Sequence, residues 1–141
     1  MRLADIDAVV QIETETFSTP WQKETFSSLF DRSGVELLVM DDAEDGVIGY
    51  AVLWCILDQA ELANLAVTSK RRGRELGRHL IGHVLEVARG RGVTKMFLEV
   101  RVSNGRAAEI YRRFGFTDVG LLRDYYDDPQ EDARIMMAPL M

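Results

Sequence analysis

A strand-like segment followed at once by a basic, glycine-containing turn and a helix is the feature that most constrains this fold. Residues 62–67 form an apolar run typical of a buried strand, and residues 76–89 repeat apolar side chains at helical spacing. Between them lies Arg71-Arg72-Gly73-Arg74-Glu75-Leu76-Gly77-Arg78. Such a turn directs main-chain N–H groups and the positive end of a helix dipole toward a ligand, so it predicts a site for an anion, such as a phosphate-bearing cofactor.

A second block carries groups that can move protons. It runs Leu98-Glu99-Val100-Arg101-Val102-Ser103-Asn104 and continues to Tyr111. Glu99 lies near the C-terminal end of a predicted strand and Tyr111 belongs to a predicted helix. A carboxylate and a phenol can accept and donate protons in catalysis. A structural interpretation stays open for both: Glu99 could pair with Arg101 at the sheet rim, and Tyr111 could be a core residue of an amphipathic helix. Asn104 fits the N-cap of that helix.

The order of the elements predicts an α/β (α+β) fold. We expect a central mixed, mostly antiparallel sheet flanked by about four helices. Helical spacing favours helices over residues 5–17, 20–30, 76–89 and 104–114, with Thr19 as the N-cap of the second helix and Pro20 as its first residue. Alternating or continuous apolar runs favour strands over residues 35–40, 47–57, 59–67, 95–100, 116–122 and 134–140.

Length and charge limit the possible partners. A chain of 141 residues fits a single domain, residues 1–141. A net charge of −6 argues against a nucleic-acid partner and favours basic proteins or peptides. No apolar run approaches the roughly 20 residues that span a membrane. The single cysteine, Cys55, excludes an internal disulfide and fits a cytoplasmic protein. We expect a monomer or weak dimer.

Taken together, these blocks resemble the GNAT N-acetyltransferase superfamily, whose acetyl-CoA motif is Arg/Gln-x-x-Gly-x-Gly/Ala between a strand and a helix. Within it, the chain resembles the RimI family of ribosomal-protein-alanine N-acetyltransferases. That resemblance rests on Asn64-Leu-Ala-Val67, Leu98-Glu-Val-Arg-x-Ser-Asn104, Ile110-Tyr111, Phe114-Gly-Phe116 and Tyr125-Tyr126 followed by Glu131-Asp132-Ala133. It implies transfer of an acetyl group from acetyl-CoA to the N-terminal α-amine of a protein, with a ribosomal protein as the expected acceptor, by direct attack in a ternary complex.

Two other functions remain open from the sequence. One is a GNAT enzyme that acetylates a small-molecule amine or a lysine side chain. The other, from a different class, is a non-catalytic acyl-CoA-binding regulatory module.

The resemblance assigns roles to individual residues. It implies that Glu99 is the base that deprotonates the amine and that Tyr111 is the acid that protonates the departing thiolate. Contacts with acetyl-CoA are implied for Leu65, Ala66, Val67, Arg72, Gly73, Arg74, Glu75, Leu76, Gly77, Arg78, Asn104 and Tyr111. Contacts with the substrate are implied for Trp21, Asn64, Glu99, Tyr125 and Tyr126.

Simpler interpretations accompany some of these roles. Tyr125 and Tyr126 are predicted on a loop and could be surface aromatics, and Trp21 could be a packing anchor for the second helix. His79 and His83 are four residues apart, but without neighbouring ligands we interpret them as a solvated helix face. No metal site is predicted.

The chain departs from the family pattern at two places. Glu75 stands where the motif has its first glycine, so a carboxylate occupies a position where the main chain approaches the pyrophosphate. Only residues 1–3 precede the first helix, so the family's first strand is expected to be short or missing.

Overall fold

A computed structural model describes residues 1–71 and 75–140 as one six-stranded sheet with helices on both faces. The predicted cofactor residues Arg72, Gly73 and Arg74 lie outside the described part. The strands are β1 (Val35–Asp42), β2 (Gly46–Ile56), β3 (Gln59–Val67), β4 (Lys95–Arg101), β5 (Thr117–Tyr126) and β6 (Glu131–Pro139). The helices are α1 (Ile6–Thr16), α2 (Lys23–Leu29), α3 (Leu76–Gly90) and α4 (Gly105–Arg113), with short 3-10 turns at Leu3–Asp5 and Ser69–Arg71.

The sheet confirms the predicted mixed, mostly antiparallel architecture. Its strand order is β1-β2-β3-β4-β6-β5, and every neighbouring pair is antiparallel except β3 with β4. The parallel pairing covers only four positions, from Gln59 opposite Lys95 to Leu62 opposite Leu98. Beyond Leu62, β3 stays paired with β2 and β4 stays paired with β6, so the two central strands diverge.

A bulge in β3 lies at the point of divergence. Val52 of β2 pairs with Asn64 and Leu53 pairs with Leu62, which leaves Ala63 without a pairing partner on β2. A bulge adds a residue to one strand and bends it. The bend therefore accompanies the opening between β3 and β4.

Both faces of the central strands are buried, which explains why β2 is a continuous apolar run. Tyr50 and Val52 pack under α1 and α2, with Ile6, Val9, Ile12, Phe26 and Leu29. Ala51 and Leu53 face the opposite side, in the core formed with α3 residues Leu80, Ile81, Val84, Leu85 and Ala88. Truncating a buried leucine or phenylalanine of either core to alanine typically costs about 2–5 kcal/mol.

The start of α2 corrects a prediction. The helix begins at Lys23, with Gln22 in the N-cap position, rather than at Pro20 with Thr19 as its cap. The main-chain N–H of Trp21 donates to a carboxylate oxygen of Glu13 at 2.9 Å. Because this contact with a side chain of α1 holds Trp21 outside the helix, the local Thr-Pro signal does not set the boundary.

The end of β5 corrects a second prediction. The strand continues four residues beyond Leu122, through an irregular register, until Tyr126 pairs with Glu131. Tyr125 and Tyr126 therefore lie at the end of a strand rather than in a loop, and a turn follows them directly.

In the described residues no strand precedes α1. Instead the amine of Met1 donates to the main-chain oxygen of Leu37 in β1 at 3.0 Å. Among the described helices, none is long and apolar enough to cross a membrane.

Candidate active site

The divergence of β3 and β4 opens a cleft of about 1140 Å³. Its walls come from both strands, from residues 16–21, from the beginning of α3, from α4 and from the end of β5. Every predicted site residue in the described part of the chain lines this cleft: Trp21, Asn64, Leu65, Ala66, Val67, Glu75, Leu76, Gly77, Arg78, Glu99, Asn104, Tyr111, Tyr125 and Tyr126. Residues that are far apart in the sequence are thus brought to one place.

Glu99 is presented to the cleft by the alternation of β4. Leu98 and Val100 are buried in the core under α3 and α4, so Glu99 points to the opposite face and is half-buried. Hydrogen bonding to Glu99 and, next, burial raise the pKa of Tyr125 to about 12. Tyr125 therefore keeps its proton at neutral pH, so its hydroxyl can donate to the Glu99 carboxylate.

The alternative interpretation, in which Glu99 pairs with Arg101, is wrong. The Arg101 guanidinium instead donates to Glu131 at 3.2 Å and lies 4.4 Å from the ring centroid of Tyr126. It also donates to the main-chain oxygens of Asp127 and Pro129 at 3.0 and 2.9 Å. Arg101 therefore fixes the turn that follows the two tyrosines.

Arg101 also joins two walls of the cleft. Its second terminal nitrogen lies 3.3 Å from the hydroxyl oxygen of Ser18, which belongs to the segment after α1. The main-chain N–H of Ser103 donates to Glu131 at 2.6 Å, and hydrogen bonds from Ser103, with Arg101, lower the pKa of Glu131. These contacts show that a charged network sets the spacing of this side of the cleft.

Glu61 is a cleft residue that the sequence interpretation missed. In the parallel pairing it lies beside Phe97, on the same face of the sheet as Glu99. Burial and, second, the charge of Glu99 raise its pKa. The alternation of buried Ala60 and Leu62 around Glu61 was the available signal, because it places Glu61 on the face opposite the α3 core.

Tyr111 is half-buried on α4, with its ring centroid 5.7 Å from that of Phe116. Burial, with a smaller effect of Tyr126, raises its pKa to about 12. Complete proton transfer to a thiolate whose conjugate acid has a pKa of about 8.5 would then be uphill by about 5 kcal/mol. The environment favours Tyr111 as a hydrogen-bond donor that keeps its proton.

The start of α4 forms as expected. The side-chain oxygen of Asn104 accepts a hydrogen bond from the main-chain N–H of Ala107 at 3.2 Å, which confirms Asn104 as the N-cap. This cap places α4 beside β4, so Tyr111 and Glu99 face one cleft.

Glu75 has a main-chain conformation that explains the glycine of the family motif. Its φ is 62° and its ψ is 10°, the left-handed region, immediately before α3. Glycine adopts that region without a steric penalty, whereas a residue with a Cβ does not. The Glu75 carboxylate forms an ion pair with Arg78 at 3.0 Å and is 66% exposed, so its charge is partly compensated at the surface.

Trp21 and Asn64 both have partners inside the protein. The Trp21 ring packs against Phe26 at 5.5 Å between centroids, as expected for a packing anchor of the second helix. The Asn64 side-chain nitrogen donates to Glu13 at 2.7 Å. Their contacts with a substrate stay predictions.

The single cysteine and the two histidines do not line the cleft. Cys55 is half-buried in β2, and burial raises the pKa of its thiol. His79 and His83 are exposed on α3. In residues 1–71 and 75–140, no three histidine, cysteine or acidic side chains are grouped closely enough to hold a metal ion.

Comparison with known proteins identifies the class. The model of the acetyltransferase (GNAT) family matches residues 6–116, and this chain therefore belongs to the GNAT family of acetyltransferases. The predicted family and fold are confirmed. Members of this family use acetyl-CoA as the acetyl donor.

Individual relatives show which members of the GNAT family this chain is similar to. The chain is 37% identical over 139 residues to the [ribosomal protein bS18]-alanine N-acetyltransferase of Salmonella typhimurium, covering 96% of this chain and 92% of the relative. It is 34% identical over 143 residues to the enzyme of that name from Escherichia coli, covering 99% and 95%. The crystal structure of the ribosomal-protein-S18-alanine N-acetyltransferase from Escherichia coli superposes with a TM-score of 0.91 at 32% identity, covering 99% of this chain and 90% of that one. The resemblance to the RimI family is confirmed by these matches.

Proposed function

We propose that this chain transfers the acetyl group of acetyl-CoA to the N-terminal α-amine of a protein. The expected acceptor is ribosomal protein bS18, the substrate in the names of its relatives. The observation that supports this most is the shared cleft: Glu99 from β4 and Tyr111 from α4 both line the opening where β3 leaves β4.

The cleft fits acetyl-CoA at two places. From residue 63 onward β3 diverges from β4, so its main chain is available to pair with the amides of pantetheine in the manner of an added strand. The first residues of α3, Leu76 to Arg78, also line the cleft, and the main-chain N–H groups of Leu76 and Gly77 can bind the pyrophosphate. Once bound, acetyl-CoA supplies the activated thioester.

The side chains of this chain would handle the protons. An α-amine has a pKa of about 7.7–8.0 and is largely protonated at neutral pH, so it must lose a proton before it attacks. Glu99, oriented by the Tyr125 hydroxyl, accepts that proton directly or through a water. Tyr111 donates a hydrogen bond to the leaving sulfur. Main-chain N–H groups near Leu65 and Ala66 are the expected donors to the carbonyl oxygen of the acetyl group.

The acceptor would lie between the two walls that Arg101 connects. Trp21 and Asn64 form one side, and Tyr125 and Tyr126 the other. Tyrosine side chains combine rigid apolar area with a hydroxyl, which suits the main chain of a peptide.

The proposal is tested by acetyl transfer, followed through release of free thiol, to two matched peptides. The first has the free N-terminus of bS18, beginning with alanine. The second has the same sequence with a blocked N-terminus and one internal lysine. Transfer to the first alone supports the proposal, and transfer to the second alone assigns the enzyme to lysine side chains.

Two variants complete the experiment. Glu99→Gln is expected to lose activity while it still binds CoA, whereas Glu86→Gln, an exposed carboxylate of α3 outside the cleft, should behave as wild type. Binding of acetyl-CoA without transfer to either peptide would refute the proposal and favour the regulatory-module alternative.

A further inference from the structure

Glu13 is a buried carboxylate to which the proposed chemistry assigns no part. It lies on α1 with 1% of its surface exposed. Its side chain accepts hydrogen bonds from the Tyr50 hydroxyl, from the Asn64 side-chain nitrogen at 2.7 Å and from the Trp21 main-chain N–H at 2.9 Å. Within the described residues no basic side chain forms an ion pair with it.

A carboxylate in such a place needs a reason, because burial of a charge is costly unless polar groups surround it. Here one side chain receives hydrogen bonds from β2, from β3 and from the segment between α1 and α2. An apolar residue at this position would leave three buried or half-buried donors without an acceptor. The three hydrogen bonds to Glu13 therefore fix the positions of those donors relative to one another.

Glu13 also forms hydrogen bonds with both ends of the segment 17–21, which contributes to one wall of the cleft. Its main-chain oxygen accepts from the N–H of Phe17 at 3.0 Å, and its carboxylate accepts from the N–H of Trp21. Four residues of this segment line the cleft, as do Tyr125 and Tyr126: they are Phe17, Ser18, Thr19 and Trp21. One residue thus closes this segment into a loop of defined shape.

The third donor connects this wall to the sheet. Asn64 directly follows the bulged residue Ala63, at the point where β3 turns away from β4. The bond from Asn64 to Glu13 sets the distance between the wall and the bulge, and the Tyr50 bond ties both to the central strand β2.

We propose that Glu13 is a positioning residue of the acceptor site, which holds residues 17–21 and the β3 bulge so that the peptide N-terminus is presented to Glu99. This inference rests on the proposed function, since it concerns the acceptor of the same reaction. Within the described residues, the Glu13 side chain forms its hydrogen bonds with Trp21, Tyr50 and Asn64 and none with the beginning of α3, which would hold the pyrophosphate. Pantetheine would pair with β3 next to Asn64, so loss of the Glu13 carboxylate should weaken acceptor binding far more than cofactor binding, which also draws on the start of α3.

The first test compares Glu13→Gln with Glu15→Gln. Both variants replace a carboxylate of α1 by an amide, but Glu15 is exposed, and among the described residues its side chain is hydrogen-bonded to Gln11 and Ser69. A misplacement of about 1 Å can cost about 100-fold in rate, so we expect Glu13→Gln to lower kcat/KM for the bS18 peptide by at least about tenfold, mainly through KM. Its Kd for acetyl-CoA should change far less than its peptide KM, and all constants of Glu15→Gln should stay at wild-type values. Lower thermal stability of Glu13→Gln with an unchanged peptide KM would overturn the proposal.

A second pair of variants isolates the contact with Trp21 and leaves Glu13 in place. Trp21→Ala and Trp21→Pro both remove the indole ring, but only proline removes the main-chain N–H that donates to Glu13. We expect a higher peptide KM for Trp21→Pro than for Trp21→Ala, and equal KM values would contradict the proposal. If Glu13→Gln does not fold, this pair of variants still tests whether the contact between Glu13 and residue 21 positions the acceptor.

Hydrogen exchange of the wild-type protein separates this inference from the proposed function. If neither peptide is acetylated, the proposed function fails, and the acceptor role of Glu13 fails with it. Slow exchange of the Trp21 amide relative to those of Ser18 and Thr19 would still establish the anchor, and equally fast exchange would exclude it.

Discussion

Replacement of Glu75 by glycine should make the protein more stable. Glu75 has a φ of 62°, in a region that costs a residue with a Cβ about 1–2 kcal/mol. Glycine removes that cost but adds about 0.5–1 kcal/mol of unfolded-state entropy. The lost ion pair with Arg78 is exposed and contributes little. At the middle of these ranges the sum is a gain of about 0.75 kcal/mol, which raises Tm by about 2–4 °C in a chain of this size.

The same substitution should tighten acetyl-CoA binding for two separable reasons. A carboxylate roughly 8 Å from one phosphate charge in a water-like dielectric repels it by about 0.5 kcal/mol, equivalent to about twofold in Kd. Removal of the Cβ also lets the main chain approach the pyrophosphate. Glu75→Gln tests the charge alone, because it keeps the left-handed residue non-glycine.

A remote control isolates the backbone effect. Leu57 has a φ of 55°, is 91% exposed in the turn between β2 and β3, and does not line the cleft. Leu57→Gly should raise Tm by a similar amount and leave the Kd for acetyl-CoA unchanged. Thermal unfolding and calorimetric titration of the three variants provide the measurements.

Together, the three variants test the claim about stability separately from the claim about acetyl-CoA binding. If Leu57→Gly is more stable than wild type and Glu75→Gly is not, relief of backbone strain does not govern the stability change at Glu75. If Glu75→Gly binds acetyl-CoA no better than wild type, the side chain points away from the phosphates and the glycine of the motif is not needed for close approach.

Three further substitutions test the site and its framework. Glu99→Gln should lower kcat by about 100-fold or more at pH 7 and by less at pH 9, where the amine is already deprotonated. Steady-state pH profiles of both proteins would show this difference. Equal losses of kcat at both pH values would contradict the role of Glu99 as the base. Tyr111→Phe should lower kcat by about tenfold or more with a nearly unchanged Kd for acetyl-CoA, whereas a change in Kd alone would make the hydroxyl a binding group. Because the pKa of Glu131 is lowered in the folded protein, its contribution to stability is complete above its usual value of 4.5 and is lost as the pH falls through the folded value. Glu131→Gln should therefore weaken the acid dependence of the unfolding free energy, and identical acid titrations of both proteins would exclude this linkage.

The sequence predicted those parts of the site whose signals are local. The β4–α4 block is one example: the alternation around Glu99 and the cap at Asn104 act within a few residues, and both formed as expected. Residues 19 and 20 gave a similar local signal, but a side chain on another element decides where α2 begins. A boundary set by a side chain of the preceding helix is not contained in the Thr-Pro pattern itself.

The same reason explains which residues were missed. Glu13 resembles any acidic residue of an amphipathic helix until Tyr50 and Asn64 are placed beside it by the fold. Glu61 becomes a cleft residue only through its parallel register with β4. The strained conformation of Glu75 is likewise a property of the folded chain, although its position in the motif marked it as unusual.

The four-position parallel pairing has a consequence for how the molecule unfolds. It connects two antiparallel half-sheets, β1 to β3 and β4 to β6, whose facing edges separate beyond Leu62. A ligand bound along that gap would bridge the halves in the manner of a missing strand, so its binding energy would act on the weakest junction of the sheet. A ligand present at 100 times its Kd stabilises the folded state by about 2.7 kcal/mol. In this architecture we expect that gain to appear as closer coupling between the two half-sheets, with amide protection rising on both sides of the gap.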